Sequence, residues 1–319
     1  DITASLIGHL EAIDYPVENL DILIVTEADD LGTGAALERE ILPPNFRRVS
    51  VPQGRIRTRP RALNYALDFA VGDIIGVWDA EDAPAPDQLR AVAAAFATAP
   101  PDVVCLQGRL DFYNSGQNWL SRCFALDYAG WFRIMLPGLA RMGFAIPLGG
   151  TTLFLRRAAL EEIGRWDAHN VTEDADLGIR LARAGWRTQM VQTTTYEEAN
   201  CHAMPWVRQR TRWLKGYALT WAVHMRQPLT LWQELGTKRF LGFQLMFLGT
   251  VILFLAAPLL WSFWALPLGL SHPVAEALPK PVLIALMVVF LGAEIVNLTV
   301  SAVAVADHEH RWLIKWALT

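Results

Sequence analysis

Asp79-Ala80-Glu81-Asp82 places carboxylates at three of four successive positions, directly behind the apolar run Ile74-Ile75-Gly76-Val77. Asp79 and Glu81 are two apart, so in an extended chain their side chains point the same way. A pair of carboxylates completed by substrate phosphates is the usual way to hold Mg²⁺ or Mn²⁺. Acidic turns are often merely solvated; this one follows a buried strand, which favours metal binding by Asp79 and Glu81, with Asp82 adjacent. A second acidic group, Glu27, Asp29 and Asp30, follows another apolar run, residues 22–26. A third, Thr172-Glu173-Asp174, opens a helical pattern. The helix macrodipole favours the ionised form of a carboxylate in the first turn. Asp174 is therefore the candidate general base for a hydroxyl proton, against the plainer reading of a helix cap. Glu173 and Asp176 read as supporting.

Gln209, Arg212 and Trp213 fall at i, i+3 and i+4, so on a helix they share one face. A guanidinium there can neutralise charge developing on a departing diphosphate. An indole offers a flat apolar face to a sugar ring. For Trp213 and the nearby Trp206, anchoring at a membrane interface competes with that role. Arg59 and Arg61, with Asn64, open another helical pattern and suit phosphate contacts or a solvated face equally. Cys105, Cys123 and Cys201 have no metal-ligand spacing and read as reduced core residues. His202 and His224 form no metal pattern.

These residues need positioning elements. Short apolar runs at residues 22–26, 46–52, 74–78, 102–113 and 188–196 read as strands. Between them lie helical patterns: residues 59–73, 87–99, an aromatic stretch over 118–141, and 172–186, with Thr172 as N-cap and Gly185 as stop. Strands alternating with helices predict a mostly parallel, Rossmann-like α/β sheet. Ligands bind at the carboxyl ends of such strands, so both acidic strand ends should face one crevice. Gly149 and Gly150 form a turn feeding a further strand.

The 319 residues are 53% apolar and 19% charged, too apolar for an ordinary soluble enzyme. Net charge is −4, which gives no case for nucleic-acid binding. The apolar excess is localised. Residues 240–264 carry no charge, and residues 281–306 carry only Glu294, a turn from Asn297. Both stretches are long enough to span a bilayer. An intramembrane carboxylate is a functional candidate, and a helix–helix hydrogen bond serves Glu294 equally. Lys238 and Arg239 flank the first stretch, and Arg311 and Lys315 follow the second. The loop at 267–280 then lies outside, with the α/β part in the cytoplasm. The division expected is an α/β domain over 1–216, an interfacial helix over 217–239 and a membrane region over 240–319. The chain opens on an amphipathic pattern with no strand before it and stops in "RWLIKWALT", as a portion of a longer protein would.

In this order, an acidic strand end, "DAED", "TED" and "QRTRW" ahead of apolar spans resemble the membrane-embedded family 2 glycosyltransferases. That family includes the cellulose, chitin and hyaluronan synthases and related bacterial β-glycan synthases. The likeness runs from the first residues to at least Gly216. "DxD" alone is weak, "TED" before a helix is moderate, and the ordered set with "QxxRW" is specific. The resemblance implies a GT-A fold, a nucleotide sugar donor, inversion at the anomeric carbon, and Mg²⁺ or Mn²⁺. Asp79 and Glu81 match the metal- and diphosphate-binding acids, and Asp174 the catalytic base. Glu173, Gln209, Arg212 and Trp213 fall to the diphosphate and acceptor. Glu27 or Asp29 falls where the family contacts the nucleobase, and Arg59 or Arg61 where relatives often carry Lys. Two departures stand out: the second acid is Glu81 followed by Asp82, and the family's first strand is absent. The expectation is an inverting hexosyltransferase (EC 2.4), multi-pass in a bacterial inner membrane, with its catalytic domain in the cytoplasm. It would move a UDP-linked hexose to a growing polysaccharide, beside other subunits of an export complex. Transfer to a lipid phosphate carrier, or a non-catalytic glycan-binding subunit, are the alternatives.

Overall fold

In the computed structural model, residues 2–266, 268–306 and 309–317 are described. The chain opens on helix α1 (Ile2–Glu11) and enters strand β1 (Ile22–Glu27). Asp30 then caps α2 (Leu31–Glu38), accepting from the Thr33 amide at 3.0 Å. That bond makes Asp30, the last acid of the group Glu27, Asp29 and Asp30, a structural residue. Strand β2 (Phe46–Val51) runs parallel to β1, and the two form a separate two-stranded sheet. Next come α3 (Arg59–Leu67), β3 (Ile74–Val77), the short β4 (Ala83–Pro84), α4 (Gln88–Thr98) and β5 (Val103–Phe112).

The aromatic stretch is a helix of three parts. Asn118 caps α5 (Trp119–Ala129) in a reciprocal box with Ser121, a π-helical segment spans Gly130–Met135, and α6 (Leu136–Arg141) completes it. Then follow β6 (Leu153–Arg156), α7 (Arg157–Glu162), α8 (Glu173–Arg183) and β7 (Arg187–Glu197). Thr172 sits at the cap position of α8, but its side chain makes no capping bond. Gly185, with φ of +87°, ends that helix in the left-handed region open to glycine.

The main sheet has the order β3-β6-β5-β7-β4, and it is mixed. Only β5 and β7 pair in parallel; β6 is antiparallel to both neighbours, and β4 is antiparallel to β7. The expected mostly parallel sheet is thus wrong. The helical excursion over residues 119–141 leaves and re-enters the sheet at the same end instead of crossing over it, so β6 runs back against β5. The core lies against this sheet: Leu106, Leu153, Leu155, Leu160, Leu177 and Ile179 are each no more than 1% exposed.

Helix α9 (Ala203–His224) runs through residue 216 without a break. It is followed by α10 (Pro228–Phe243), which kinks at Gly236, a π-helical segment Gln244–Gly249 and α11 (Thr250–Ser262). After α12 (Pro273–Ala277) comes α13 (Lys280–Ala306). Pro267, at the edge of the expected external loop, lies outside the described residues. Two helical stretches, Pro228–Ala265 and Lys280–Ala306, are long and apolar enough to cross a membrane. At 27 residues, α13 spans about 40 Å. Its side chains are bare: Ile284, Val289 and Ile295 are 62%, 70% and 64% exposed. The chain then returns to the α/β domain, where Leu313 and Trp316 pack with Phe112, Phe124 and Trp213. Arg122 of α5 lies 4.4 Å from the Trp316 ring, a cation–π contact.

Candidate active site

Arg59 ties the site together. It occupies the first turn of α3, with Pro60 pre-setting the helical backbone behind it. Its Nη2 lies 2.7 Å from Asp79 Oδ1 and donates to the Gly150 carbonyl at 2.5 Å. Its Nη1 donates to Glu173 Oε1 at 3.1 Å. One guanidinium therefore joins the acidic strand end, the glycine turn and the first turn of α8. The neighbouring arginines complete the link to the first sheet, where Arg57 pairs with Asp29 at 2.6 Å and Arg61 with Glu27 at 3.5 Å. Both acidic strand ends thus meet the same basic segment.

The glycine turn admits the base. A Cβ on Gly150 would stand 3.1 Å from Asp174 Oδ2 and 3.3 Å from Arg59 Nη1. Buried Gln107 locks the turn, accepting from the Gly149 amide at 2.9 Å and donating to the Thr151 carbonyl at 3.0 Å. Thr152 follows with φ of +55°, an unusual conformation for a β-branched residue. Such strain concentrates at functional sites.

Asp174 accepts from the Ala175 amide at 2.7 Å. The residue is half-buried, and enclosure by protein pushes its pKa up to about 7, with Glu173 adding repulsion. The helix start and Arg59 pull the other way and are outweighed, contrary to the expectation that the macrodipole would keep it firmly ionised.

Asp82 is fully buried. Its Oδ2 accepts from the Asp79 amide at 2.7 Å and from the Thr151 hydroxyl, while its Oδ1 is buried without a hydrogen-bond partner. Burial, its largest influence, pushes its pKa up to about 7. A residue not singled out in the sequence joins this cluster. Glu197, at the end of β7, is held well above the usual carboxylate range by burial, then by Asp82, Asp79 and Glu81. Its signal was available, since "TTTYEE" is a third strand running into acids. Mutually repelling carboxylates with an orphaned buried oxygen fit a divalent cation. Asp79 and the exposed Glu81 would hold it, and bound there it would offset charge on a diphosphate. Three metal-capable side chains also converge within 4.8 Å at Asp111, Glu309 and His310. There Arg133 pairs with Asp111 at 2.8 Å and the Tyr196 hydroxyl donates to Glu309, so that group is an ion-pair network.

Gln209, Arg212 and Trp213 all lie on α9. Gln209 accepts from Asn200 at 2.7 Å, and Arg212 is exposed. Trp213 is half-buried, 6.1 Å from the Phe124 ring, with the Arg210 guanidinium 5.1 Å from its own ring. Trp206 shares that guanidinium at 5.4 Å. What brings α9 to the base is Gly216, since a Cβ there would strike Thr172 Cγ2 at 2.3 Å. One turn on, Asn170 donates to Thr220 at 3.0 Å. His224 is buried, with Nε2 2.9 Å from Asp176 and Nδ1 2.9 Å from Arg183. Asp176 also accepts from Arg180 at 2.7 Å, which makes it a structural residue.

The strand-end acid cluster and the helix-borne carboxylate, joined through Arg59 on a mixed sheet, form a site of the glycosyltransferase class. Residues 74–293 match the description "Glycosyl transferase family group 2", and the chain belongs to that family. The chain is 30% identical over 254 residues to beta-monoglucosyldiacylglycerol synthase of Synechocystis sp., covering 76% of this chain and 51% of the relative. It is 25% identical to the cellulose synthase 1 catalytic subunit of Komagataeibacter xylinus, covering 86% of this chain and 37% of that one. The chain thus spans about half the length, or less, of these curated relatives. Among solved structures, it is similar in fold to the mannosyltransferase PcManGT from Pyrobaculum calidifontis in complex with GDP-Man and Mn²⁺. The TM-score is 0.57, at 20% identity, covering 96% of this chain and 81% of that one.

Proposed function

We propose that the chain is the catalytic part of an inverting hexosyltransferase working at the face of a bacterial inner membrane. The observation that carries this is the convergence of Asp79, Gly150 and Glu173 on Arg59, with Asp174 beside them. The donor is a nucleotide diphosphate sugar, UDP-linked. Its diphosphate displaces Asp79 from Arg59 and is met by that guanidinium and by Arg212, while Asp79 and Glu81, with Asp82 behind them, would hold a divalent cation that offsets its charge. Glu27 or Asp29 contacts the nucleobase. Asp174 takes the proton of the attacking acceptor hydroxyl, and the departing nucleotide diphosphate carries away the glycosidic bond's electrons, inverting the anomeric carbon. Gln209 and Trp213 hold the acceptor, with Glu173 keeping Arg59 in place. The two long apolar helical stretches cross the bilayer and leave the α/β domain in the cytoplasm.

The acceptor read first is the end of a growing polysaccharide, from the "QxxRW" residues on α9. A second reading, transfer to the hydroxyl of a membrane lipid, is favoured by the likeness to a diacylglycerol-glucosylating relative. Exposed Leu219 and Val223 on α9 suit a helix lying on lipid. Membranes bearing the chain, supplied with Mn²⁺ or Mg²⁺ and radiolabelled UDP- and GDP-sugars, test both. Label in ethanol-insoluble polymer supports the first, and label extracted by chloroform–methanol supports the second. No transfer or donor hydrolysis with any sugar would favour a non-catalytic glycan-binding subunit.

A further inference from the structure

Beneath the π-helical segment and α6, against the first half of β7, lies a cavity of about 410 Å³. Its wall carries five arginines, Arg109, Arg133, Arg141, Arg187 and Arg239, and among the described residues no carboxylate. In a chain of net charge −4 this is a local concentration. Two of the five are neutralised from behind, Arg133 by Asp111 at 2.8 Å and Arg187 by Asp102 at 2.8 Å. Arg239 donates to carbonyl oxygens, those of Gly143 at 3.2 Å and Ala182 at 3.4 Å, and makes no ion pair among the described residues, although its charge is felt at Asp102. Arg109 and Arg141 have neither an ion pair nor a hydrogen bond among the described residues. Arg109 is half-buried on β5, where burial and then the neighbouring Arg133 disfavour its charge. A guanidinium does not escape that cost by losing its proton. An anion of matching shape removes the cost, and phosphate oxygens match the guanidinium fork.

We propose that this cavity binds a phosphate-bearing ligand, gripped by Arg109 from the strand and by Arg141 and Arg239 from the rim. Its volume lies within the range of small-ligand sites, about 300–1,000 Å³. None of Arg59, Asp79, Asp174 or Arg212 lines it, so it is separate from the catalytic cleft. The wall does include Gly178 and Ala182 of α8, the helix whose first turn holds Asp174, so an occupant braces that helix. Arg239 immediately precedes the uncharged run that begins at residue 240, which places a lipid headgroup within reach. A soluble phosphate ester offers the same chemistry.

The test follows the melting temperature of the full chain in neutral detergent. One arm titrates inorganic phosphate at fixed ionic strength; the other adds phosphatidylglycerol or phosphatidylcholine in mixed micelles. The site predicts a saturable rise with phosphate, with phosphatidylglycerol, or with both. Arg109→Gln should demand at least tenfold more ligand for the same rise. Arg141→Gln, at the exposed rim, should weaken the response while leaving the unliganded melting temperature unchanged, so that a folding defect in the first variant cannot mask the result. A response to phosphate alone assigns a soluble ester, and one to phosphatidylglycerol alone assigns a headgroup. Phosphate bound instead in the donor cleft would give a rise that survives both substitutions. That result, or a rise no larger than chloride produces, overturns the site.

Discussion

Arg59 and Asp174 show what single residues reveal and conceal. Their types and places, at two helix starts, were legible in the sequence; their meeting through Gly150 was not, because 115 positions separate them. Asp174 also looked firmly ionised from its place on the helix, whereas enclosure and the neighbouring Glu173 raise its pKa to about 7. Since the base must be deprotonated, kcat/KM should fall as pH drops below about 7. Asp174→Asn should lower kcat about 10²–10⁴-fold while nucleotide binding persists; a matching loss of binding would mean the residue holds the donor. Asp82 predicts a stability effect. Its folded pKa is raised from 3.8 to about 7, so the folded protein holds a proton there that the unfolded chain releases. Stability therefore declines as pH rises through that window. Without metal, Asp82→Asn should melt higher than the parent at pH 8 and nearly level with it at pH 4. Parallel melting curves across the range would show that Asp82 is not strained by its charge.

At the scale of elements, helix and strand positions followed from apolar period, whereas strand direction did not. Nothing in the run at residues 153–156 says that β6 is antiparallel, because direction depends on where a 23-residue helical excursion ends. The function of Gly216 was equally hidden: it reads as a residue after a motif, yet it sets the spacing between α9 and α8. Gly216→Ala should force α9 away from Thr172, at a cost of about 1–3 kcal/mol. Transfer should fall more steeply than donor binding, since the shift separates Trp213 from the base. Adding Thr172→Ala should restore much of the loss, and failure of that rescue in stability and activity alike would refute the steric account. Thr220 and His224 had no visible role in sequence, because their partners lie on α8 and just before it.

The whole molecule joins an α/β body to two long apolar helical stretches, the first seated on α8 through Leu231, Leu235, Phe243 and Phe247 and the second largely bare, and this division was the plainest feature of the composition. In a background lacking Cys105, Cys123 and Cys201, Ser271→Cys should react with an impermeant maleimide on intact cells, whereas Gln53→Cys should react only after permeabilisation. The reverse pattern would invert the proposed orientation. The return of the chain after α13 adds a mechanical consequence. Leu313 and Trp316 seat the far end of that helix in the aromatic pile that holds Trp213. In the proposed membrane placement the helix is then a lever: a tilt imposed by bilayer thickness is delivered to the residue proposed to cradle the acceptor. Reconstituted into phosphatidylcholines of graded acyl length, the enzyme should turn over fastest at one thickness and slow on either side, and a flat response would mean the lever is slack.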